Sequence, residues 1–449
     1  MGETFTYFLP TQLRIYRIRG QIRSHSECKA TIMAPTSAPF TVMGTLFFMF
    51  GFITCLNDIL VPHMKSLFDL NYAQAAMIQF AFFTAYFVIA FPSSWLISRM
   101  GYQRSIVTSL VIAAAGAAMF YPASIMQSYG VFLAGLFTLA SGFALLQTAV
   151  NPYVAVIGPP ERSAARLALF QAFNSVGTTL APVLGAALIL GASALTPDQV
   201  SALDPTALVA HRTAEAEAVQ VPYMILMGLL LALAMGVAML RLPRIDGVEG
   251  DDEKRVSLLA PLRIPHLRRG VLGVFAYVGA EVAIGSFLVN YFQERVGLSE
   301  ASAAQYVAYY WGGAMVGRFL GSYLLMRMNP GKLLAVFALV NVVLTCSSVV
   351  TTGLTSAMLL VLCGLFNSIM FSTIFTLAIK DVGAMTNKGS AWLIAAILGG
   401  AIVPAMQGAI ADATGTLATS YLIPAVCYAY IAYYGFKGCQ PVHSPAMVR

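Results

Sequence analysis

The sequence predicts an all-α integral membrane protein of twelve transmembrane helices, arranged as two six-helix pseudo-repeats. Three observations carry that expectation. Only 10% of the 449 residues are charged and 58% are hydrophobic, whereas a soluble domain carries about a quarter of its residues as charges. The apolar residues gather in twelve runs, each near the roughly 20 residues that cross about 30 Å of hydrocarbon. The basic residues concentrate in alternate connections between those runs. A chain with a mean hydropathy of +0.76 has too little polar surface to cover itself in water, so lipid is its solvent.

The elements follow in order. Residues 1–38 carry Arg14, Arg17, Arg19, Arg23 and Lys29 and lack an apolar core followed by a small-residue cleavage site. They read as a disordered cytoplasmic tail, with Met33 a second candidate initiator. Runs near 40–62, 73–98, 103–124, 130–156, 166–191 and 220–241 then form a first bundle over 39–241. Its last connection, 192–219, holds Asp198, Asp204, Glu215 and Glu217 and reads as a polar loop. Residues 242–267, with Asp246, Glu249, Asp251, Asp252, Glu253, Lys254 and Arg255, form a cytoplasmic linker. Runs near 268–292, 301–327, 332–352, 356–380, 388–411 and 418–436 form the second bundle over 268–437, and 438–449 is a second cytoplasmic tail. The runs are continuous rather than alternating, which excludes strands.

Orientation follows from the basic residues. With the N-terminus inside, 22 of the 26 lysines and arginines fall in the tails, the linker and the even-numbered loops. Lys65, Arg212 and Arg295 lie on the other side, and Arg318 lies within the eighth span. Both termini are therefore expected in the cytoplasm.

The two bundles share a pattern. Gly177-x4-Pro182 in the fifth span recurs as Gly399-x4-Pro404 in the eleventh, an offset of 222 residues. That offset also sets Gly51 on Gly273, and Asp58 one residue from Glu281. Parallel repeats of six spans with a site between them are a transporter architecture.

Several classes are excluded. The net charge of +7 is scattered between apolar segments and forms no nucleic-acid stripe. There is no Walker loop, no dinucleotide fingerprint after a strand and no His/Cys metal cluster, so ATP-driven transport, redox chemistry and a membrane-embedded enzyme have no visible apparatus. The six cysteines (Cys28, Cys55, Cys346, Cys363, Cys427, Cys439) show no CxxC spacing and read as packing residues.

The candidate site residues are polar groups inside apolar runs. Gly51, Thr54, Asp58 and Pro62 share one helical stripe. An ionised carboxylate facing lipid costs several kcal/mol (about 3 on insertion scales), so Asp58 is expected to face a cavity or a partner, with Asn57 beside it and Lys65 as an alternative partner at the interface. Glu281 falls near the middle of the seventh span, one turn after Tyr277, which could donate to it; a carboxyl taken out of water leans toward its neutral form, as a coupling acid must. Gln147 and Asn151 are one turn apart in the fourth span, and Pro152 leaves the Thr148 carbonyl without its usual donor. Gln171, Asn174, Ser175 and Thr178 make a continuous polar face on the fifth span, which reads as lining water, with interhelical hydrogen bonding as the alternative. Asn290, Gln305, Tyr309, Asn367, Ser372 and Trp392 are weaker candidates in the second half, an indole being able to stack on a sugar ring. Gly317-Arg-Phe-Leu-Gly-Ser322 ends the eighth span and is followed by Arg327 and Lys332, as Arg99 and Arg104 stand at the matching place in the first half; basic residues on these two cytoplasmic turns read as a latch between the halves or as plain topology signalling.

At Gly51-Phe-Ile-Thr-Cys-Leu-Asn57-Asp58-Ile-Leu-Val-Pro-His63, Leu146-Gln147-Thr-Ala-Val-Asn151-Pro152-Tyr153 and Gln171-Ala-Phe-Asn174-Ser-Val-Gly177, the sequence resembles the fucose–proton symporter family of the major facilitator superfamily, over essentially all of 40–437. The segment from Tyr277 through Glu281 to Asn290-Tyr291 is similar to its glucose/galactose and N-acetylglucosamine branch. In the fucose carriers, the resemblance implies an aspartate at the position of Asp58 and a glutamate at that of Gln147 as the central acidic pair. Here an amide replaces the second, and glutamine cannot release a proton. Coupling is then left to Asp58 alone, to Glu281, or to a Na⁺ held by Asp58, Asn57 and Gln147.

The expectation is a cation-coupled hexose symporter of the glucose/galactose type in a bacterial inner membrane, working by alternating access. N-acetylglucosamine or fucose is the alternative substrate, and a multidrug exporter shares the fold. Asp58 and Glu281 are expected to couple; Asn57, Gln147, Asn151, Gln171, Asn174, Tyr277, Asn367 and Trp392 are expected to bind sugar. No cofactor is expected beyond co-transported H⁺ or Na⁺, and the partners are a small sugar and the bilayer, with no nucleic acid and a monomeric chain.

Overall fold

The structure is a computed structural model that describes residues 37–67, 72–185, 204–240, 242–243 and 257–441. Side chains at 37–39, 56–67, 72–77, 79, 182–185, 205, 208–219, 300 and 301 lie outside that description. So do the expected N-terminal tail up to residue 36, most of the central linker and residues 442–449.

The described chain is almost wholly helical. Its first half comprises α1 (Ser37–Leu67), α2 (Tyr72–Ala118), α3 (Phe120–Ile125), α4 (Tyr129–Val156), α5 (Ser163–Gly185) and α6 (Pro205–Met239). The second comprises α7 (Pro265–Val296), α8 (Glu300–Leu325), α9 (Pro330–Val350), α10 (Gly353–Asn367), α11 (Met370–Ala378), α12 (Thr386–Ala395), α13 (Gly399–Thr414), α14 (Leu417–Ser420) and α15 (Leu422–Tyr433).

Helix α2 runs the second and third expected spans together and breaks at Gly101, where φ is 77° and ψ 172°. Side chains avoid that region, so a glycine is what lets the chain turn between two crossings. The tenth expected span is bent by 40° between α10 and α11. The eleventh is interrupted by a 3₁₀ turn at Ala396–Leu398, and the twelfth ends in a π turn at Tyr434–Gly438. Among the described residues six helices are long and apolar enough to cross a membrane, or seven with the bent pair taken as one. The run Phe80–Ile125 counts once among these yet holds crossings on both sides of Gly101. Helices α5 and α8 fall outside the six, because polar residues on their faces dilute the hydropathy.

One expected boundary is corrected. The sixth helix begins at Pro205, within the loop expected over 192–219. The Asp204 carboxylate accepts from the backbone nitrogens of Thr206 (2.9 Å) and Ala207 (2.8 Å), and proline at the first helical position needs no donor partner. Acidic residues that looked like loop markers sit in an alanine-rich stretch with strong helix propensity.

Within the first half, α1 packs along α5, and α2 packs on α4 and α6. Within the second, α7 packs along α13, α8 on α10, and α9 on α10 and α15. The repeat is visible at its closest crossings. A Cβ on Gly177 would run into the Phe48 carbonyl of α1, and one on Gly399 into the Phe275 carbonyl of α7. The expected pairing of Gly51 with Gly273 is corrected in turn. Gly51 faces the Asn174 backbone of α5, but Gly273 faces Ile374 of α11, and Gly279 is the residue that faces Val403 and Gly399 of α13. Glu281 is therefore not the counterpart of Asp58.

Two seams join the halves. Helix α5 meets α8 and α11, and α2 and α4 meet α12. At the end of the bundle that carries Gly101, the Tyr102 hydroxyl donates to Asn387 Oδ1 at 2.5 Å, with both residues buried. Nearby, Gln103 bonds Val237 O and Leu240 O and accepts from Leu242 N, fixing the end of α6.

Candidate functional site

In the first half, α2 and α4 bring three polar side chains into a row. Gln147 Nε2 donates to the Tyr86 hydroxyl at 3.2 Å, and Asn151 Nδ2 donates to Gln147 Oε1 at 3.4 Å. Asn151 Oδ1 is buried without a partner. Gln147 and Asn151 thus meet as their spacing predicts, and Tyr86 is the member that sequence reasoning missed. Its only signal was a tyrosine in an otherwise phenylalanine-rich stretch.

On α5, Asn174 Nδ2 donates to the Phe47 carbonyl of α1 at 3.2 Å, so this amide clamps two helices of the same half. Ser175 Oγ donates to Gln171 O and Thr178 Oγ1 to Ser175 O. Among the described residues the Gln171 amide makes no hydrogen bond, and the residue is 9% exposed. Asn57 and Asp58 lie on the described backbone of α1, but their side chains are outside the described ones.

The second half supplies a buried ion pair. Arg318 Nη2 stands 3.7 Å from Glu281 Oε1, with side-chain exposures of 12% and 11%. The other guanidinium nitrogen, Nη1, donates to Ser175 Oγ of α5. The hydroxyl of Tyr277 lies in electrostatic reach of Glu281 and Arg318 but completes no hydrogen bond of ordinary geometry. Arg318 lies within α8, which runs to Leu325, as its place in the eighth span implies, and its side chain spans the seam rather than a cytoplasmic turn. An uncompensated buried carboxylate costs several kcal/mol (of order 3–5), and the opposite charge is what offsets it. The sequence held that signal, since an arginine within a span needs a partner and Glu281 was the acid buried in the same bundle.

Behind this pair runs a polar network. Tyr310 Oη donates to Glu281 O (3.1 Å), Asn367 Nδ2 to Tyr310 Oη (2.8 Å) and Asn341 Nδ2 to Asn367 Oδ1 (2.8 Å). Asn367, expected as a sugar ligand, is fully buried and spends both ends of its amide here. Trp392 is placed elsewhere again. Its Nε1 donates to Leu258 O at 2.9 Å, and its ring meets Phe91 of α2 edge-on at 4.9 Å. In this conformation it braces the seam at the Gly101 end.

The weaker candidates scatter. Tyr309 and Gln305 are exposed, and Ser372 donates to Ile369 O. Asn290 lines a cavity of about 390 Å³ with Glu294 and Asp412, at the end opposite Gly101. A second cavity, of about 560 Å³, lies at the Gly101 end between Glu161, Lys332 and Lys380. Neither holds the Gln147 row or the Glu281 pair. Among the described residues, no three His, Cys, Asp or Glu side chains gather as a metal requires.

A family model for the Major Facilitator Superfamily matches residues 42–404. The chain is 49% identical over 404 residues to a glucose/galactose transporter of Brucella abortus biovar 1 (strain 9-941), covering 89% of this chain and 94% of that one. It is 38% identical over 399 residues to the L-fucose-proton symporter of Escherichia coli (strain K12), covering 88% and 91%. The crystal structure of FucP, a Major Facilitator Superfamily transporter in the outward conformation, superposes with a TM-score of 0.84 at 38% identity, over 88% of this chain and 97% of that one.

Proposed function

The chain belongs to the major facilitator superfamily, and from that premise we propose that it is a cation-coupled hexose symporter of the glucose/galactose type, working by alternating access between its two halves. It is a transporter and not an enzyme. The supporting observation is the placement of Arg318, held by Glu281 in its own half and by Ser175 in the other. A carrier must make the contact between its halves depend on whether the driving ion is bound. A proton on Glu281 removes the charge that holds Arg318, and so alters a contact across the seam.

Within this reading Asp58 and Glu281 are the coupling acids, and the proton is the driving ion, in keeping with relatives named as proton symporters. Gln147, Asn151 and Gln171 present hydrogen-bonding groups to the sugar, with Asn57 beside Asp58 and Tyr277 on the opposite side. Asn174, Asn367 and Trp392 hold the walls. The Gly101 end, flanked by Arg99, Arg104, Arg162 and Lys380, is the cytoplasmic face of a bacterial inner membrane. The Tyr102–Asn387 bond then closes the carrier on the inside, and the chain works as a monomer.

The test is counterflow in proteoliposomes with glucose, galactose, N-acetylglucosamine and fucose, repeated with and without sodium at two pH values. Glucose and galactose exchange with pH-dependent, sodium-independent accumulation is expected. Dye efflux without sugar exchange removes the reading, and sodium dependence moves the coupling to Na⁺.

A further inference from the structure

Tyr86 is 1% exposed, and its hydroxyl accepts from Gln147 while its own proton has no acceptor among the described residues. Its ring is fixed by Phe82, with centroids 5.2 Å apart. One turn back, Phe83 reaches across to Gly400 of α13. The hydroxyl therefore sits on a rigid wall at the margin between the halves and turns toward α4. At the other end of the row, Asn151 Oδ1 is buried and unpaired. A buried polar atom left unmatched is costly, so a row that has, among the described residues, an unspent group at each end is shaped for something that supplies both partners.

The row also has a direction. As it stands, Asn151 donates to Gln147 and Gln147 donates to Tyr86, which leaves a phenolic donor at one end and a carbonyl acceptor at the other. If both amides turn over together, Tyr86 donates to Gln147, and Asn151 presents NH₂ in place of oxygen. Two hexoses that differ in the direction of a single hydroxyl ask for these two patterns unequally. We propose that Tyr86 is a positioning residue that holds the Gln147 amide at the head of this row, and through it sets the preference between hexose epimers. This rests on the sugar-transport reading above.

The experiment measures KM and Vmax for glucose and for galactose in proteoliposomes of wild type, Tyr86→Phe, Gln147→Asn and the double variant. Removing the phenolic oxygen is expected to change the ratio of the two KM values roughly three- to ten-fold, as one neutral hydrogen bond allows. The double variant is expected to shift that ratio no further than Gln147→Asn alone, since both break the same contact. A KM ratio equal to that of wild type in Tyr86→Phe overturns the proposal, as do independent, multiplying shifts in the double variant. If Tyr86→Phe does not insert, an unmoved ratio in Gln147→Asn is equally fatal, because the shorter amide no longer reaches Tyr86. A wild type that carries no hexose overturns the transport reading itself and is distinguished from these outcomes by its own counterflow.

Discussion

Arg318 of α8 donates to the Ser175 hydroxyl of α5, so a guanidinium rooted in one half of the molecule ends on a side chain of the other. Its charge is balanced by Glu281 of its own half, 3.7 Å away. The pair and the hydroxyl together place a buried charge at the contact between the halves.

Breaking that pair from either side leaves a charge in a poorly solvated place. Glu281→Gln and Arg318→Gln are each expected to cost about 3–5 kcal/mol, while the double variant recovers much of the loss because neither charge remains. Apparent melting temperatures in detergent check this, with the order wild type, double variant, single variants. Equal losses that add in the double variant contradict a direct pairing.

Asp58→Asn is expected to abolish accumulation against a gradient while sparing sugar exchange. Labelled-sugar uptake with an imposed pH gradient, set beside counterflow, checks it. Uphill uptake at the wild-type level would remove Asp58 from coupling and leave Glu281 as the acid.

The close crossings predict a contrast between glycines. Gly177→Ala and Gly399→Ala force a methyl into the carbonyls of Phe48 and Phe275, a cost of about 1–3 kcal/mol. Gly228→Ala and Gly236→Ala meet nothing within 4 Å and are expected to be neutral or slightly stabilising. Thermal unfolding of the four variants separates the pairs.

The Gly101-end seam predicts a change in accessibility. Asn387→Leu removes the Oδ1 acceptor that the buried Tyr102 hydroxyl donates to across the seam, a penalty of about 1–3 kcal/mol that falls on the closed state. Maleimide labelling of Ser390→Cys, a fully buried position beside the seam, is expected to speed up several-fold in that background. Unchanged labelling means that the bond does not hold the seam. Trp392→Phe, which loses its bond to Leu258, is expected to move sugar KM by less than about two-fold, as a brace rather than a ligand would.

The solvent, the span order and the division into halves were legible in the sequence, because transfer free energy acts on long windows and averages over local detail. The Gly177 and Gly399 motifs were legible for the same kind of reason: a close helix crossing tolerates no side chain whatever surrounds it. The start of α6 at Pro205 was not, since Asp204 marks a helix cap and a loop with the same residue. Partnership was hidden too. Glu281 and Arg318 are charges in separate spans, and only packing α7 against α8 and α8 against α5 brings them together with Ser175. The amides divide in the same way: the sequence named Gln147, Asn174 and Asn367 alike, and the tertiary contacts sent one to Tyr86, one to a backbone carbonyl and one into a closed network. Composition determines that a polar group in lipid must be satisfied, and the fold alone decides by what, because hydrogen bonds depend on ångström distances between helices far apart in the chain.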